Sequence, residues 1–300
     1  MKRMYDKILV PLDGSKVAEM VLPYAQEVSV KLGADIILVG VSEPTLANTR
    51  HLYDSYLTSV IEQVQRKLKN LGVKEEVKVH SETLLGKPSD EILYYADKQN
   101  VSLIAMTSRG VSIPGPWPLG NIVTKVVRAT NKPLLLVRAP VSKAALQENK
   151  LIKRILLPLD GSEVGESAIL YTQELAQALG SEIILFQVLP VATTQLAEAA
   201  IYPTRISIKK FEEESKASAL VYLDGVGKPL KESGIRTSNI VMIGSPANQI
   251  IDYAKDNAVD LIAMSTHGRT GIGRWVFGSV TDKVLHAGDT GVLVIRAPTA

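Results

Sequence analysis

The chain of 300 residues contains no cysteine. That absence removes disulfide cross-links, thiolate nucleophiles and thiolate metal sites together, and it suits a reducing compartment. No apolar run approaches the roughly twenty residues that span a bilayer. MKRMYDKILVPLDGS leads from a short basic start into a strand-like segment, with neither an h-region nor a cleavage site. A cytoplasmic protein with no membrane partner is expected, and the Asn100-Val101-Ser102 sequon is expected to be idle. An excess of one charge is missing too: 34 Lys and Arg stand against 31 Asp and Glu, scattered along the chain, so no basic stripe for nucleic acid is visible. The four histidines, His51, His80, His267 and His286, lie too far apart for metal-ligand spacing, and no metal site is expected. Gly86-Lys87-Pro88-Ser89 is not a Walker A loop, because Ser81 stands where the first glycine is needed and a proline splits the Lys-Ser pair. With no Gly-x-Ser-x-Gly elbow and no carboxylate pair, no catalytic residue is identifiable.

What the chain does contain, it contains twice. KILVPLDGS (7–15) returns as RILLPLDGS (154–162), and GADIILVGV (33–41) as GSEIILFQV (180–188), each displaced by 147 positions. VSLIAMTSRG, ending at Gly110, returns as VDLIAMSTHG, ending at Gly268, and PLLLVRAP (133–140) as GVLVIRAP (291–298), each displaced by 158. The second copy therefore carries eleven additional residues between Val188 and Gly244. Two domains follow, 1–141 and 151–300, with a polar linker at 142–150; 46% hydrophobic residues suffice for a core in each.

Within each copy, short Ile/Val/Leu-rich runs alternate with longer amphipathic stretches, the signature of βαβ units and a parallel sheet. Five strands are countable per copy: KILVPLD, DIILVGV, EEVKVHSE, SLIAMTS and PLLLVRA, then RILLPLD, EIILFQV, TSNIVMI, DLIAMST and GVLVIRA. Ser15 and Ser162 read as helix N-caps, Gly33 and Gly180 as C-terminal glycines, and Pro88 and Pro246 as early helical residues. The expected fold is α/β: two repeated Rossmann-like domains, each a five-stranded parallel sheet of order 3-2-1-4-5 with helices on both faces. The ligand crevice then opens at the carboxyl ends of strands one and four. Strand one delivers Pro11 and Asp13, or Pro158 and Asp160. Strand four runs into a glycine-bearing loop that ends at Gly120-Asn121 or Gly278-Ser279, where Val280 and Val284 begin a helical stripe. Free N–H groups and a helix dipole at that point suit a phosphate; a turn with a cap explains the same residues.

The spacing G-x2-G-x9-G-(S/T), set after LIxM and behind a PxDGS strand end, resembles the universal stress protein family, over nearly the whole chain and in tandem. The resemblance implies an adenine nucleotide alpha hydrolase-like fold in which the loop holds the phosphates of ATP, ADP or AMP; Mg2+ enters as a companion of the phosphates in the ATPase alternative. It also implies that the aspartate lies near the adenosine and that a backbone position ending strand two meets the base. On the second copy these roles fall to Asp160, Val188, Gly268, Gly278 and Ser279, with Pro158, Ser265, His267, Arg269 and Val280 as candidates beside them; His267 and Arg269 read equally as loop-ordering or solvent-facing residues. On the first they fall to Asp13, Val41, Gly110 and Gly120, with Pro11, Thr107 and Asn121 beside them. Ser265 and Thr107 replace the first glycine of the pattern, and Asn121 the Ser/Thr. Three prolines stiffen the loop of the first copy, so the second copy ranks ahead. No SGGxDS follows strand one, which separates the chain from ATP pyrophosphatases of similar topology. Arg274 is a further candidate for phosphate charge, while Trp117 and Trp275 read as loop-packing residues.

The expected role is a nucleotide-binding stress-response protein whose shape or partner affinity depends on the nucleotide. A slow ATPase and an interaction module that no longer binds nucleotide are the alternatives. The last strand of each copy reads as an apolar edge through which the two copies pair, and a homodimer of the whole chain is expected. The lengthened segment 189–234 reads as a lid, a partner surface or a longer covering helix.

Overall fold

The computed structural model describes residues 3–43, 50–70, 77–109, 119–138, 150–191, 205–266 and 277–297. Contacts divide them into two compact units. The first holds the described residues up to Ile152 together with Gly291–Arg296, and the second holds the described residues from Lys153 to Thr290.

In the first unit, β1 (Lys7–Pro11), β2 (Asp35–Ser42), β3 (Val79–Leu85), β4 (Leu103–Thr107) and β5 (Leu134–Val137) alternate with helical segments. These are a 3-10 turn (Ala18–Val21), α1 (Leu22–Leu32), α2 (Arg50–Asn70), α3 (Pro88–Lys98) and α4 (Asn121–Ala129). The five strands are parallel in the order β3-β2-β1-β4-β5, so the winding reverses between β1 and β4 as expected. The second unit repeats the pattern with β6 (Arg154–Pro158), β7 (Glu182–Leu189), β8 (Thr237–Ile243) and β9 (Leu261–Ser265), ordered β9-β6-β7-β8. Its helices are α5 (Glu163–Glu166), α6 (Ala168–Leu179), α7 (Arg205–Glu232), α8 (Pro246–Asp256) and α9 (Ser279–Ala287). Strand β10 (Gly291–Ile295), counted by sequence as the last of the second copy, groups with the first unit. It runs antiparallel to β5, with Leu293 opposite Leu135.

The strands are continuous apolar runs because helices cover both their faces. Ile8, Leu9, Leu38, Ile104, Ile155 and Leu185 have no measurable exposure. The two faces can be told apart at β7. Phe186 meets the Tyr253 ring of α8 at 4.9 Å between centroids, while neighbouring Leu185 lies 3.1 Å from where a Cβ on Gly227 of α7 would stand. One strand differs from the sequence expectation. EEVKVHSE places it over 75–82, whereas β3 runs Val79–Leu85, because it follows the full length of β2 from Ile36 opposite Val79 to Ser42 opposite Leu85. The described part of the lengthened segment, α7, is a 28-residue covering helix.

At the amino edge of the sheet, a side chain clamps strand one to the approach of strand four in both copies. Ser102 Oγ accepts from Asp6 N and Lys7 N, each at 2.8 Å, and donates to Lys7 O at 2.9 Å. In the second copy Asp260 Oδ2 accepts from Lys153 N and Arg154 N, each at 2.8 Å. These contacts accompany the registers Ile8 with Leu103 and Ile155 with Leu261.

Gly33 and Gly180 end α1 and α6 in the left-handed region, at φ 65° and 64°. Ala34 N and Ser181 N then bond back to Ser29 O and Ala176 O, satisfying carbonyls of the last turn. Replacing either glycine by alanine puts a Cβ into that conformation and costs about 1 to 2 kcal/mol. Denaturant titration of Gly33→Ala and Gly180→Ala is expected to show similar losses, and an unchanged midpoint would contradict the assignment.

Candidate functional site at the carboxyl edge

The register fixed by the clamps determines what meets at the opposite edge. Pro158 pairs with Phe186, so two residues on, Asp160 stands level with Val188. Ile155 pairs with Leu261, so five residues on, Asp160 stands level with Thr266, where the loop begins. The first copy gives the same result: Asp13 is level with Val41 and with Ser108. The predicted aspartate, strand-two residue and loop entry thus come together on three adjacent strands, with Pro11 and Pro158 closing strand one.

The aspartates are held in the same way twice. Asp160 Oδ1 accepts from Ser162 N at 3.0 Å and Ser162 Oγ at 2.6 Å, and Ser162 Oγ accepts from Gly165 N at 3.0 Å. Asp13 Oδ1 accepts from Ser15 N at 3.0 Å and Ser15 Oγ at 2.6 Å, and Ser15 Oγ accepts from Ala18 N at 3.0 Å. Gly161 and Gly14 lie between them at φ 78° and 84°, a conformation that glycine adopts without a Cβ penalty. Each serine caps a helical start, and each carboxylate is oriented by two donors. A Cβ on Gly165 would lie 2.7 Å from Asp160 Oδ1. The first copy has Ala18 there, and its first turn is 3-10 rather than α.

The loop ends are pinned together. Gly278 N donates to Thr266 O at 2.9 Å, and Gly120 N to Ser108 O at 3.0 Å. Helices α9 and α4 then begin at Ser279 and Asn121, and neither has a side-chain cap at its N-terminus. Among the described residues no side chain takes the first-turn N–H groups. Gly278 and Gly120 have φ of −59° and −58°, which any residue adopts. A Cβ on Gly120 would make only ordinary contacts, at 3.8 to 3.9 Å. The folded backbone therefore does not require glycine at this position.

The buried stripe of α9 is Thr281, Val284 and Leu285, whereas Val280 is half-buried. Thr281 takes the core position because its hydroxyl donates to Ser265 O at 2.9 Å, tying the helix to the end of β9. In the first copy Val123, Val126 and Val127 fill the stripe, and Thr107 Oγ1 donates to Arg109 O at 2.6 Å. Ser265 and Thr107 are buried, while Asn121 and Ser279 are exposed. Gly110, Trp117, His267, Gly268, Arg269, Arg274 and Trp275 lie outside the described residues.

Sequence reasoning missed a tyrosine–carboxylate pair present in both copies. The Tyr222 hydroxyl of α7 donates to Glu166 Oε1 at 2.8 Å, and the Tyr56 hydroxyl of α2 to Glu19 Oε1 at 3.3 Å. Burial is the main cause that raises both hydroxyls above the ordinary tyrosine range; the glutamate partner adds to it, as do Asp160 and Asp13 respectively. Each covering helix is thereby fastened beside the aspartate. Glu19 and Glu166 share the 147-residue displacement, but the tyrosines are displaced by 166, because the second copy gains nineteen residues between strand two and the tyrosine and loses eight between the tyrosine and strand three. Among the described residues, a second tyrosine enters in the first copy. The Tyr53 ring lies against Gly40, where a Cβ would come within 2.6 Å of Tyr53 Cδ1, and burial followed by Asp13 and Glu43 raises its hydroxyl too.

Because the fold favours the neutral hydroxyl of Tyr222, its contribution to stability is complete below pH 10 and declines as pH rises above it. Tyr222→Phe is expected to show one fewer late-ionising tyrosine in an ultraviolet titration and a shallower loss of stability above pH 10. A late-ionising count equal to that of the unsubstituted protein would exclude the pairing.

The architecture defines the class: an α/β protein with two tandem Rossmann-like domains, the winding reversing between strand one and strand four in each. The chain belongs to the universal stress protein family, whose family model matches residues 4–138 and 151–296. A universal stress protein of Synechocystis is 23% identical over 314 residues, covering 96% of this chain and 99% of that relative. A universal stress protein of Methanocaldococcus jannaschii is 28% identical over 157 residues, 49% of this chain and 96% of its own length. The crystal structure of a universal stress protein from Archaeoglobus fulgidus superposes with a TM-score of 0.70 at 19% identity, covering 97% of this chain and 98% of that one, so the fold is shared along the whole length.

Proposed function

We propose that the chain binds an adenine nucleotide, ATP or its di- or monophosphate, in the crevice of the second domain, and acts in the stress response through nucleotide-dependent shape rather than turnover. The observation that carries this reading is the start of α9. Its N-terminus has no side-chain cap among the described residues, and its flanking Gly278 has φ −59°, which any residue adopts. A bond to Thr266 O holds it at the edge where Asp160 is already oriented. Phosphate oxygens would take the free N–H groups of the first turn, favoured by the helix dipole, with Gly278 leaving room and Ser279 adding a hydroxyl. His267, Gly268 and Arg269 belong to the same loop in this reading, and Mg2+ would accompany the phosphates and offset their charge. Asp160 would meet the sugar and the Val188 backbone the base. Asp13, Val41, Gly120 and Asn121 make the first crevice the second candidate. A response follows only where the nucleotide binds one of two conformations more tightly. Pairing of the two copies and a homodimer of the whole chain belong to the same proposal.

Nucleotide released on denaturing gently purified protein, identified by mass spectrometry and counted per chain, tests the reading. One equivalent that is lost in Gly278→Val, with the melting temperature unchanged, is expected; by titration calorimetry that variant should bind ATP at least about tenfold more weakly. Two equivalents would place the first crevice on a par with the second. No nucleotide, together with no heat on titrating ATP, would leave the interaction module. Steady phosphate release that vanishes in Gly278→Val would favour the ATPase.

A further inference from the structure

The two covering helices are built to different strengths. Helix α2 buries Leu57, Val60, Val64 and Leu68, turn after turn, and contains neither glycine nor proline. Helix α7 carries Gly225, Gly227 and Pro229 inside its length. Gly227 is explained by packing, since a Cβ there would stand 3.1 Å from Leu185 Cδ1. Packing does not explain the other two: a Cβ on Gly225 would meet no atom within 4 Å, and Pro229 is exposed. Each weakens the helix, and Pro229 also removes the N–H that the Gly225 carbonyl would accept from.

The seat of the helix is poor at the same point. Thr237 Oγ1 and Asn239 Oδ1 lie 3.5 and 3.8 Å from that Gly227 Cβ position, buried and without a hydrogen-bond partner among the described residues. Such oxygens cost stability while the helix covers them, and water would reach them if it lifted. Ahead of Gly225 the helix is lightly packed: between Ile208 and Asp224 only Ala219 and Leu223 are buried. Beyond Pro229, Leu230 is 1% exposed, and Gln173 Nε2 of α6 donates to Ser233 Oγ at 3.2 Å. The limb 205–224, about 30 Å long, therefore extends from a firm base through a weak joint. It is pinned where Asn239 Nδ2 donates to Asp224 Oδ1 at 2.6 Å and where the Tyr222 hydroxyl donates to Glu166 Oε1, near enough to Asp160 and Gly161 to feel both.

Building on the nucleotide reading above, we infer that Gly225–Pro229 is a hinge and that the limb 205–224 is the part of the second domain whose position depends on the nucleotide. Ser162 Oγ bonds to both Asp160 and Gly165 N, so the aspartate turn and the start of α5, which carries Glu166, move as one. A nucleotide engaging Asp160 steadies that turn and with it the Tyr222 contact. Its departure leaves the limb to lift about the hinge. The response is limited to the difference in nucleotide affinity between the seated and lifted forms. The first domain, with its unbroken α2, is not expected to respond in this way.

Hydrogen–deuterium exchange read by mass spectrometry tests the inference on the full chain carrying Gly120→Val, so that the second crevice alone reports, with calorimetry recording whether ATP binds. Without nucleotide, the amides of 208–224 are expected to be at least about tenfold less protected than those of α6, and saturating ATP should raise their protection about fivefold or more while α6 is unchanged. Gly225→Ala combined with Pro229→Ala should raise the protection of the limb by about tenfold or more without nucleotide, and shrink the effect of ATP below about twofold. Tyr222→Phe should bind ATP yet leave the limb poorly protected with or without it. ATP that binds and leaves the limb unchanged overturns the inference while nucleotide binding stands. A limb as protected as α6 in the nucleotide-free chain overturns it as well, and so does an ATP effect that survives in Tyr222→Phe or an unchanged limb in the paired alanine variant. Absence of any binding heat overturns both readings.

Discussion

Everything at the carboxyl edge depends on a bond made at the far end of the strands. Ser102 in one copy and Asp260 in the other hold consecutive backbone N–H groups that lead into strand one, and so hold that strand against strand four. Side chains on a strand alternate, so a slip of one residue would exchange the faces of the whole strand and misplace the aspartate against its loop. A hydroxyl and a carboxylate do the same work because the task needs only a compact acceptor within reach of two donors. The core then keeps the register: Ile8, Leu9, Ile155 and Leu156 are sealed on both sides and cannot move without opening the sheet.

At the other end, two kinds of order are combined. The Asp-Gly-Ser turn is closed on itself, its carboxylate oxygen already engaged by the serine and the serine engaged by the following helix. The helix starts at Asn121 and Ser279 are anchored through their flanking glycines yet carry no side-chain cap. An oriented carboxylate and a helix start without a side-chain cap thus stand at the same edge of each sheet, and groups already held in place cost less to order on binding.

The strand order, the positions of the two aspartates and the helix starts at Asn121 and Ser279 were all legible in the sequence. Each rests on a local signal: an apolar run, a Pro-x-Asp-Gly-Ser strand end, or a glycine before a periodic stretch. Ser15 and Ser162 also cap as expected. The extent of β3 was not legible, because its limits come from β2 and not from its own alternating residues. Nor was the burial of Thr281, since a hydroxyl in a core stripe makes sense only once the Ser265 carbonyl is seen beneath it. The tyrosine–glutamate pairs join positions far apart in the chain, Tyr56 with Glu19 and Tyr222 with Glu166, and an insertion conceals their repetition.

The Tyr53 ring stands where a side chain at position 40 would have to go, so the two positions are tied to one another. Any Cβ at 40 would come within 2.6 Å of Tyr53 Cδ1, and such overpacking costs about 1 to 3 kcal/mol unless the ring moves or shrinks. Neither position can drift alone: strand two keeps its glycine for as long as the covering helix keeps its tyrosine.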